Sequence, residues 1–422
     1  MNLYRRKMLL MDKAAIAEKF TVILLGSDIN VYGMARAFHE EYGIISEAHS
    51  LMHLSPTKFS KIVNVHAHDN FNEPEGFIKA MRQVKKDYEN NGKVNILLPC
   101  GDGYTELIAM YKNELEETFI CPTIDIALQK QLEDKVTFYE TCEEYGLPYP
   151  ATYIINQEIV ANKQVNVPFS FPVALKPADS VAWLGAKFEG KKKAFIFRDE
   201  QEFMTIVERI YASNYQGEMI CQDFIPGDDS HMRVLNAYVD QNHKVRMMCL
   251  GNPLLEDPTP EAVGNYVAIM PDYNEKIYQN IQSFLEKIEY KGFANFDMKY
   301  DERDGEYKLF EINLRQGRSS YYVTLMGYNL AKYIVEDYVL GKELDEVVYG
   351  SGDKLWLGVP EKIVKQYVKS SEQKTKALEM LKNKQYGTTL FYKEDMGLKR
   401  YLLVKRIYNL YNKRYKEHFT EK

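Results

Sequence analysis

The stretch Phe293–Asn313, FANFDMKYDERDGEYKLFEIN, decides the fold because it contains the clearest β-hairpin pattern of the chain. Two runs of alternating apolar and polar residues flank the turn ERDG, which is typical of paired antiparallel strands. Side chains of a strand alternate between two faces, so Asp297 and Lys299 share one face. Glu311 and Asn313 share a face of the second strand for the same reason.

The polar residues of this hairpin predict a metal site. If the turn is centred near Asp304, Asp297 lies opposite Glu311, and two carboxylates converge with the Asn313 amide on one face. Clustered carboxylates repel each other unless a cation lies between them. Hard oxygen ligands with room for water favour Mg²⁺, which commonly binds one or two carboxylates together with substrate phosphates. The alternative is a solvent-facing hairpin with ordinary alternating polar residues.

Cationic side chains near strand ends point to an anionic ligand. Arg315 and Arg318 follow the hairpin closely, and their guanidinium groups could clamp phosphate or carboxylate oxygens. Lys176 ends the apolar strand FPVALKP, where a buried lysine needs a partner such as a phosphate. An exposed lysine at a strand end is the alternative.

The segment Gln222–Gly227, QDFIPG, reads as a strand that runs into a turn, with Asp228 and Asp229 just beyond. Extended backbone there could pair with an adenine edge, and a carboxylate could accept ribose hydroxyls. An edge strand followed by an acidic turn is the alternative.

The rest of the chain predicts a mixture of α/β and α+β structure. Strands at Thr21–Gly26 and Val94–Cys100 alternate with helices, which favours a parallel sheet near the N-terminus. A helix over Asp134–Gly146 then precedes strands of an α+β kind. One long helix is predicted over Ser320–Gly341, and the tail from Glu346 reads as helical.

Composition excludes several classes of protein. Of 422 residues, 45% are hydrophobic and 27% are charged, which is ordinary for globular domains and excludes wholesale disorder and fibrous structure. The five cysteines are widely spread without a CxxC pair, so reduced thiols are expected rather than disulfides or a zinc site. No apolar run is long enough for a signal peptide or a spanning helix, so we expect a cytoplasmic protein.

The charge is distributed unevenly. Residues 346–422 contain 17 Lys and Arg against 9 Asp and Glu, a net charge of +8, whereas the remainder has a net charge of -14. This asymmetry predicts an anionic partner for the tail, with a peripheral membrane contact as one form of it. A solvated helix packed on the body is the alternative. Nucleic-acid binding is not indicated, because the body is acidic and the tail carries no reading motif.

Five of these elements occur in the order found in the ATP-grasp superfamily, which the chain resembles over roughly residues 20 to 345. They are Asp134-Lys135, VALKP with Lys176, QDFIPG, Asp297-Met-Lys and Glu311-Ile-Asn-Leu-Arg. The resemblance implies an N-terminal Rossmann-like (pre-ATP-grasp) domain at 1–122, ATP-grasp lobes A and B at 123–215 and 216–345 around ATP, and a basic, mostly helical extension at 346–422.

The resemblance also implies roles for single residues. Lys135 and Lys176 would hold the ATP phosphates, and Asp229 or Asp228 would accept the ribose hydroxyls. Arg315, helped by Arg318, would lie beside an acyl phosphate. The adenine-pairing hinge would consist of Gln222, Asp223, Phe224 and Ile225, with Lys299 among the nucleotide-binding residues, and the Mg²⁺ ligands would be Asp297, Glu311 and Asn313.

One loop departs from the superfamily pattern. The segment after Lys176, ADSVAWLGAKFEGKKKAF, lacks the glycine-rich stretch of many relatives. It carries lysines instead, and which of them reaches the γ-phosphate stays open. These lysines are Lys187, Lys191, Lys192 and Lys193.

Within the superfamily, the chain is most similar to the D-aspartate ligases of peptidoglycan crossbridge synthesis. The likeness lies in KPADSVAW, in DDSHMRVLNAYVD, and in FDMKYD with FEINLRQGRSSYYV. It implies an ATP- and Mg²⁺-dependent ligase that couples D-aspartate to the lysine side chain of a UDP-muramyl pentapeptide through an acyl phosphate. The alternatives are an L-amino-acid or dipeptide ligase of the same fold, and a nucleotide-binding regulatory protein that has lost catalysis.

Overall fold

The computed structural model describes residues 12–178, 183, 185–192, 194–260, 262, 264–343, 346–369 and 371–420. Lys193, one of the candidate γ-phosphate lysines, lies outside these residues. The chain forms two compact units. The first comprises Met1–Gln129, Asp228–Phe296 and Asn313–Lys422, and the second comprises Lys130–Gly227 and Asp297–Ile312.

The first unit begins with the predicted parallel sheet. Its four strands lie in the order β3-β2-β1-β4, all parallel. Their bounds are β1 Phe20–Leu25, β2 Ser46–Ser50, β3 Val63–Ala67 and β4 Val94–Pro99. The accompanying helices are α1 Ile29–Tyr42, α2 Pro74–Tyr88, α3 Asp102–Met110 and α4 Lys112–Leu115. The order of strands and helices confirms the predicted Rossmann-like arrangement.

Helix α1 begins where the sequence provides a cap. The Asp28 carboxylate accepts hydrogen bonds from the amides of Asn30 and Val31, which satisfies two donors that a helix start leaves without partners. Gly43 ends the helix with a φ of 69°, a left-handed conformation that glycine adopts without strain. Helix α1 therefore starts directly after the loop that follows β1.

The second unit contains an antiparallel sheet in the order β5-β8-β6-β7. The strands are β5 Thr152–Ile155, β6 Val173–Pro177, β7 Phe195–Phe197 and β8 Met219–Asp223. The helices between Ile126 and Tyr211 are α5 Ile126–Glu133, α6 Lys135–Tyr145, α7 Gln157–Ala161 and α8 Glu200–Tyr211. The inner face of α8, with Phe203, Val207 and Ile210, is buried in this unit's core.

An eight-stranded sheet has the order β13-β12-β9-β10-β11-β15-β16, with β14 paired to β10. Its strands are β9 Met232–Val239, β10 Val245–Glu256, β11 Tyr266–Asp272, β12 Gly292–Asp301, β13 Glu306–Asn313, β14 Val348–Gly350, β15 Leu355–Leu357 and β16 Tyr386–Gly387. Strands β12 and β13 are neighbours joined by residues 302–305, so the predicted hairpin is confirmed. The long amphipathic helix before β12 is α9 Glu275–Lys287.

The single helix predicted over Ser320–Gly341 is wrong. The structure has α10 Tyr321–Leu325, α11 Leu330–Ile334 and a π-helical turn at Val335–Val339. Gly327 adopts a φ of 103°, which no α-helix contains. The Asn329 side chain accepts a hydrogen bond from the Ala331 amide and so starts a new helix.

The tail is mostly helical, as predicted, but it also contributes β14, β15 and β16. Its helices are α12 Glu361–Tyr367, α13 Glu372–Lys382 and α14 Leu398–His418. Arg400 of α14 is only 1% exposed and forms an ion pair with Asp395 at 2.9 Å. Its guanidinium also lies 4.1 Å from the centre of the Tyr32 ring. The tail is therefore part of the first unit, whose core includes Val404 and Tyr408.

Two further features concern the helices and the cysteines. Over the described parts of the chain, no helix combines the length and apolarity needed to cross a bilayer. All five cysteines are buried free thiols.

Candidate active site

Lys176 is held at an unusual position in the second unit. Its Nζ lies 3.3 Å from the Tyr139 hydroxyl and 5.8 Å from the centre of that ring. Burial and, to a smaller extent, the nearby charge of Lys135 together lower the pKa of Lys176 to about 8, although the charge of Glu311 opposes the shift. The structure thus brings the two predicted phosphate lysines and one predicted Mg²⁺ ligand within electrostatic range of each other.

Lys135 owes its position to a helix cap. The Asp134 carboxylate accepts hydrogen bonds from the amides of Val136 and Thr137, so Lys135 is the first residue of α6. Because the N-terminal end of a helix carries a partial positive charge, an anion near Lys135 gains from the helix dipole and from the lysine charge. The role of Lys135 at the ATP phosphates stays a prediction.

The predicted adenine hinge begins inside the sheet. Gln222 lies between Thr152 of β5 and Ala174 of β6, and its side-chain amide donates to the Thr152 hydroxyl at 3.0 Å. The amide of Asp223 donates to the Ala151 carbonyl at 2.9 Å. Phe224 and Ile225 follow the end of β8, so two of the four predicted hinge residues lie in the strand and two lie after it. Their role in adenine binding stays a prediction.

Lys299 supports this hinge from β12. Its ammonium donates to the carbonyls of Ile225 at 2.9 Å and Gly227 at 2.7 Å. It also lies 5.5 Å from the centre of the Phe224 ring. Lys299 is buried, and these contacts assign its ammonium to holding the segment that follows β8.

Asp223 has a partner that the sequence did not reveal. Arg303, in the hairpin turn, donates to both Asp223 carboxylate oxygens, at 3.1 and 2.6 Å. The same guanidinium contacts Asp301 at 2.7 Å and helps to hold the pKa of that carboxyl below its usual range. No local pattern signals a contact between residues 80 positions apart.

The predicted Mg²⁺ ligands have suitable chemistry. Asp297 is half-buried on β12 and Glu311 is exposed on β13, both in the second unit. In the first unit, the Asn313 side-chain nitrogen donates to Asn295 at 3.1 Å, and its side-chain oxygen lies 3.4 Å from Arg315 Nη2. Two carboxylates and an amide oxygen fit a Mg²⁺ ion whose other ligands are phosphates and water.

This donor set is sparse without a nucleotide. Within the part of the chain that the structure describes, no three His, Cys, Asp or Glu side chains cluster closely enough to form a metal site by themselves. A set with only two carboxylates is consistent with a metal that binds together with ATP. The assignment of Asp297, Glu311 and Asn313 stays a prediction.

Arg315 is fixed in the first unit by Asp102, which the sequence did not identify. Arg315 Nη2 lies 2.8 Å from the Asp102 carboxylate and 3.4 Å from the Asn313 side-chain oxygen. Its Nη1 donates to the Gln316 carbonyl at 3.1 Å. Arg318 is exposed. The charges of both arginines lower the pKa of Asp28, which burial raises more strongly.

The two candidate ribose acceptors line one cleft of the first unit, with a volume of about 390 Å³. Asp228 accepts hydrogen bonds from the amide and hydroxyl of Ser230 and pairs with Lys369 at 3.6 Å. Asp228 is thus committed to local contacts. Asp229, the other candidate, is half-buried. The preference for Asp229 over Asp228 stays a prediction.

The loop lysines have different surroundings. Lys191 donates to the Ala186 carbonyl at 2.9 Å, and Lys192 lies 6.0 Å from the centre of the Phe195 ring. Lys187 is exposed. Which lysine reaches the γ-phosphate therefore remains open.

None of the known protein-family models matches this sequence. The chain is, however, 57% identical over 412 residues to a D-aspartate ligase of Enterococcus faecium (strain Aus0004), and the alignment covers 96% of this chain and 98% of that enzyme. The chain belongs to the D-aspartate ligase family. The sequence-based resemblance to this family is confirmed.

Solved structures agree with the fold of the ligase. The biotin carboxylase domain of Hydrogenobacter thermophilus 2-oxoglutarate carboxylase, a MgADP complex, has a TM-score of 0.58 at 13% identity and covers 79% of this chain and 73% of its own. An L-amino acid ligase from Bacillus licheniformis has a TM-score of 0.52 at 14% identity, with coverages of 76% and 74%. The ligase has the ATP-grasp fold of these structures and, as a member of the D-aspartate ligase family, joins a carboxylate to an amine.

Proposed function

We propose that this ligase couples D-aspartate to the lysine side-chain amine of a UDP-linked muramyl pentapeptide. The observation that carries the proposal is the 57% identity to an enzyme named for D-aspartate, over nearly the full length of both chains. The proposed compartment is the cytoplasm, because UDP-linked precursors are water-soluble and the five cysteines are free thiols.

The proposed route runs through an acyl phosphate. A carboxylate is a poor acyl donor, so its oxygen attacks the γ-phosphoryl group of ATP and ADP leaves. The amine then attacks the carbonyl carbon, inorganic phosphate leaves, and the nitrogen loses a proton. In this reaction Lys135 and Lys176 hold the phosphates, and Arg315 stabilises negative charge on the transferred phosphoryl group and the tetrahedral oxyanion. Mg²⁺ held by Asp297, Glu311 and Asn313 would supply charge neutralisation.

Phosphate release from ATP tests this proposal across a panel of D- and L-amino acids, with and without a UDP-muramyl pentapeptide. We expect release to require D-aspartate and to rise with the pentapeptide. Because the carboxylate oxygen becomes part of the leaving phosphate, D-aspartate labelled with ¹⁸O should transfer one label to phosphate. Mass spectrometry of the phosphate measures that transfer.

Other outcomes separate the alternatives. Formation of AMP and pyrophosphate would mean adenylate chemistry and contradict the acyl phosphate. Turnover with L-amino acids alone would identify an L-amino-acid or dipeptide ligase of the same fold. ATP binding without turnover on any amino acid would identify a nucleotide-binding regulatory protein.

The basic tail supports a second, independent proposal: α14 contacts anionic membrane surfaces. Its first two turns expose the apolar side chains of Leu398 (77%) and Leu402 (58%) beside cations. Apolar and basic side chains together are typical of interfacial helices. Arg400 does not belong to this surface, because it is buried in an ion pair, so the exposed cations among residues 398–406 are Lys399, Lys405 and Arg406.

Reversing these three charges to Glu should abolish co-sedimentation with phosphatidylglycerol vesicles, because the attraction is electrostatic and screened by salt. Phosphatidylcholine vesicles should bind neither form. The matched control reverses three exposed lysines of the N-terminal region, Lys79, Lys86 and Lys93. Equal binding by the α14 variant, the control variant and the unaltered ligase would show that the tail is a solvated structural helix.

A further inference from the structure

The first unit contains a second cleft, of about 410 Å³, which is within the size range of small-ligand sites. It lies at the carboxyl ends of β1, β2 and β4, where open parallel sheets bind ligands. None of the residues predicted to bind ATP or Mg²⁺ lines it. The lining residues are Gly26, Ser27, Asp28, Ser50, Leu51, Met52, Leu54, Asn72, Cys100, Gly101, Gly103, Tyr104 and Leu107.

The cleft combines an apolar wall with one charged group. Leu51, Met52 and Leu54 form part of the wall and are 37%, 54% and 39% exposed, which is unusual for three apolar side chains in four residues. Apolar side chains clustered at a cleft mark a binding surface rather than a core. Asp28 is the charged side chain among the lining residues, and it is half-buried, so part of it faces the cleft.

The same cleft adjoins the arginine proposed to stabilise the acyl phosphate. The segment Pro99–Asp102, after β4, supplies both structures. Cys100 and Gly101 line the cleft, while Asp102 holds Arg315 at 2.8 Å. Gln316 donates to the Pro99 carbonyl at 3.2 Å, so the chain around Arg315 is tied to this segment.

We propose that this cleft binds the amine acceptor, with its aliphatic chain against the apolar wall and its ammonium group directed to Asp28. The proposal rests on the proposed function and assigns the acceptor half of that site. A lysine side chain has both required parts, an apolar stem and a terminal cation. The donor D-aspartate matches this cleft less well, because it lacks an aliphatic stem for the apolar wall and would place a carboxylate against that wall.

The substitution Asp28→Asn tests this assignment without removing the helix cap, because Asn caps helices as well as Asp. Losing one charge-assisted contact should raise the KM for the acceptor about 10- to 100-fold. Formation of the acyl phosphate should be unchanged, and hydroxylamine measures it separately by trapping the activated D-aspartate as a hydroxamate. The matched control is Asp199→Asn, which changes the cap of α8 in the same way and should alter neither rate.

A second variant changes the apolar wall of the cleft. Leu54→Gln replaces an exposed apolar side chain, so the protein should fold, and it should raise the KM for the acceptor with hydroxamate formation intact. Acceptors with ornithine in place of lysine should also react more slowly with the unaltered ligase, because the shortened stem places the amine differently.

The outcomes distinguish this inference from the proposed function. An unchanged acceptor KM in both Asp28→Asn and Leu54→Gln would overturn the acceptor site. Loss of hydroxamate formation in either folded variant would also overturn it, because the cleft would then serve the donor. Absence of hydroxamate with the unaltered ligase would instead contradict the acyl phosphate itself.

Discussion

Replacing Glu311 by Gln should lower turnover about 10²- to 10³-fold, the effect typical of removing one preorganised charge contact in a transition state. Gln has the same shape as Glu but lacks its negative charge. The variant therefore loses an anionic Mg²⁺ ligand and also the charge that favours the protonated form of Lys176. Glu311 is exposed on β13, so the folded state should lose little stability. Steady-state phosphate release at saturating D-aspartate and acceptor measures the effect, and thermal unfolding monitors the fold.

The matched control is Glu302→Gln, which neutralises an exposed carboxylate in the turn of the same hairpin. This variant should keep its turnover. Raising the Mg²⁺ concentration should partly restore the turnover of Glu311→Gln and leave the turnover of Glu302→Gln unchanged. Near-normal turnover in Glu311→Gln would remove Glu311 from the Mg²⁺ site.

Replacing Lys176 by Met should raise the KM for ATP about 10²-fold or more, because a charge-assisted contact to phosphate is lost from a buried position. The ammonium lies 3.3 Å from the Tyr139 hydroxyl, and Met provides no donor at this place. In the unaltered ligase without nucleotide, the pKa of Lys176 is about 8, so ATP affinity should also weaken as the pH rises above that value. ATP titrations between pH 6.5 and 9.5 measure both effects.

The same substitution should stabilise the protein. A lysine pKa of about 8 in the folded state, against 10.5 in the unfolded chain, means that burial disfavours the charged form by up to about 3 kcal/mol. Below pH 8 the lysine is protonated in both the folded and the unfolded chain, so the folded state bears this free-energy cost in full. Between pH 8 and 10.5 the folded state loses its proton first, and the cost decreases to zero. Lys176→Met should therefore be more stable than the unaltered ligase at pH 7, with a difference that disappears by pH 10.5.

Urea unfolding at several pH values measures this gain. Lys130→Met, at an exposed lysine of α5, is the matched control and should change neither stability nor the KM for ATP. A Lys176→Met variant that binds ATP normally, or that is less stable at pH 7, would contradict the role assigned to the buried ammonium.

Local patterns explain which parts of the fold could be predicted. The hairpin β12–β13 follows from period-two alternation and its turn, and the start of α6 follows from the capping pattern at Asp134. Strands β14, β15 and β16 have only two or three residues, which is too short for any periodicity to appear. Gly327 was hidden in a run of helix-forming residues, although its φ breaks the helix.

The candidate site divides in the same way. Lysines, carboxylates and an amide at strand ends could be recognised as phosphate and Mg²⁺ ligands from residue type and order. The residues that hold these side chains in place could not be recognised. Asp102 and Arg315 lie 213 residues apart, so no local sequence pattern indicates the contact between them. The position of Gln222 inside the sheet likewise depends on the pairing of β8 with two strands, which periodicity does not predict.

The composition of the first unit from three separated stretches has a consequence for synthesis of the protein. Its largest core joins Phe20 near the beginning of the chain to Tyr408 near the end. The ribosome therefore synthesises the Rossmann-like sheet long before it synthesises α14, which packs against the same core. Contacts of such long sequence separation slow folding, and they leave apolar surface exposed while the chain is incomplete. Nascent chains that still lack α14 therefore lack Val404 and Tyr408 of this core, and a premature stop in the tail removes part of the core rather than an appendage.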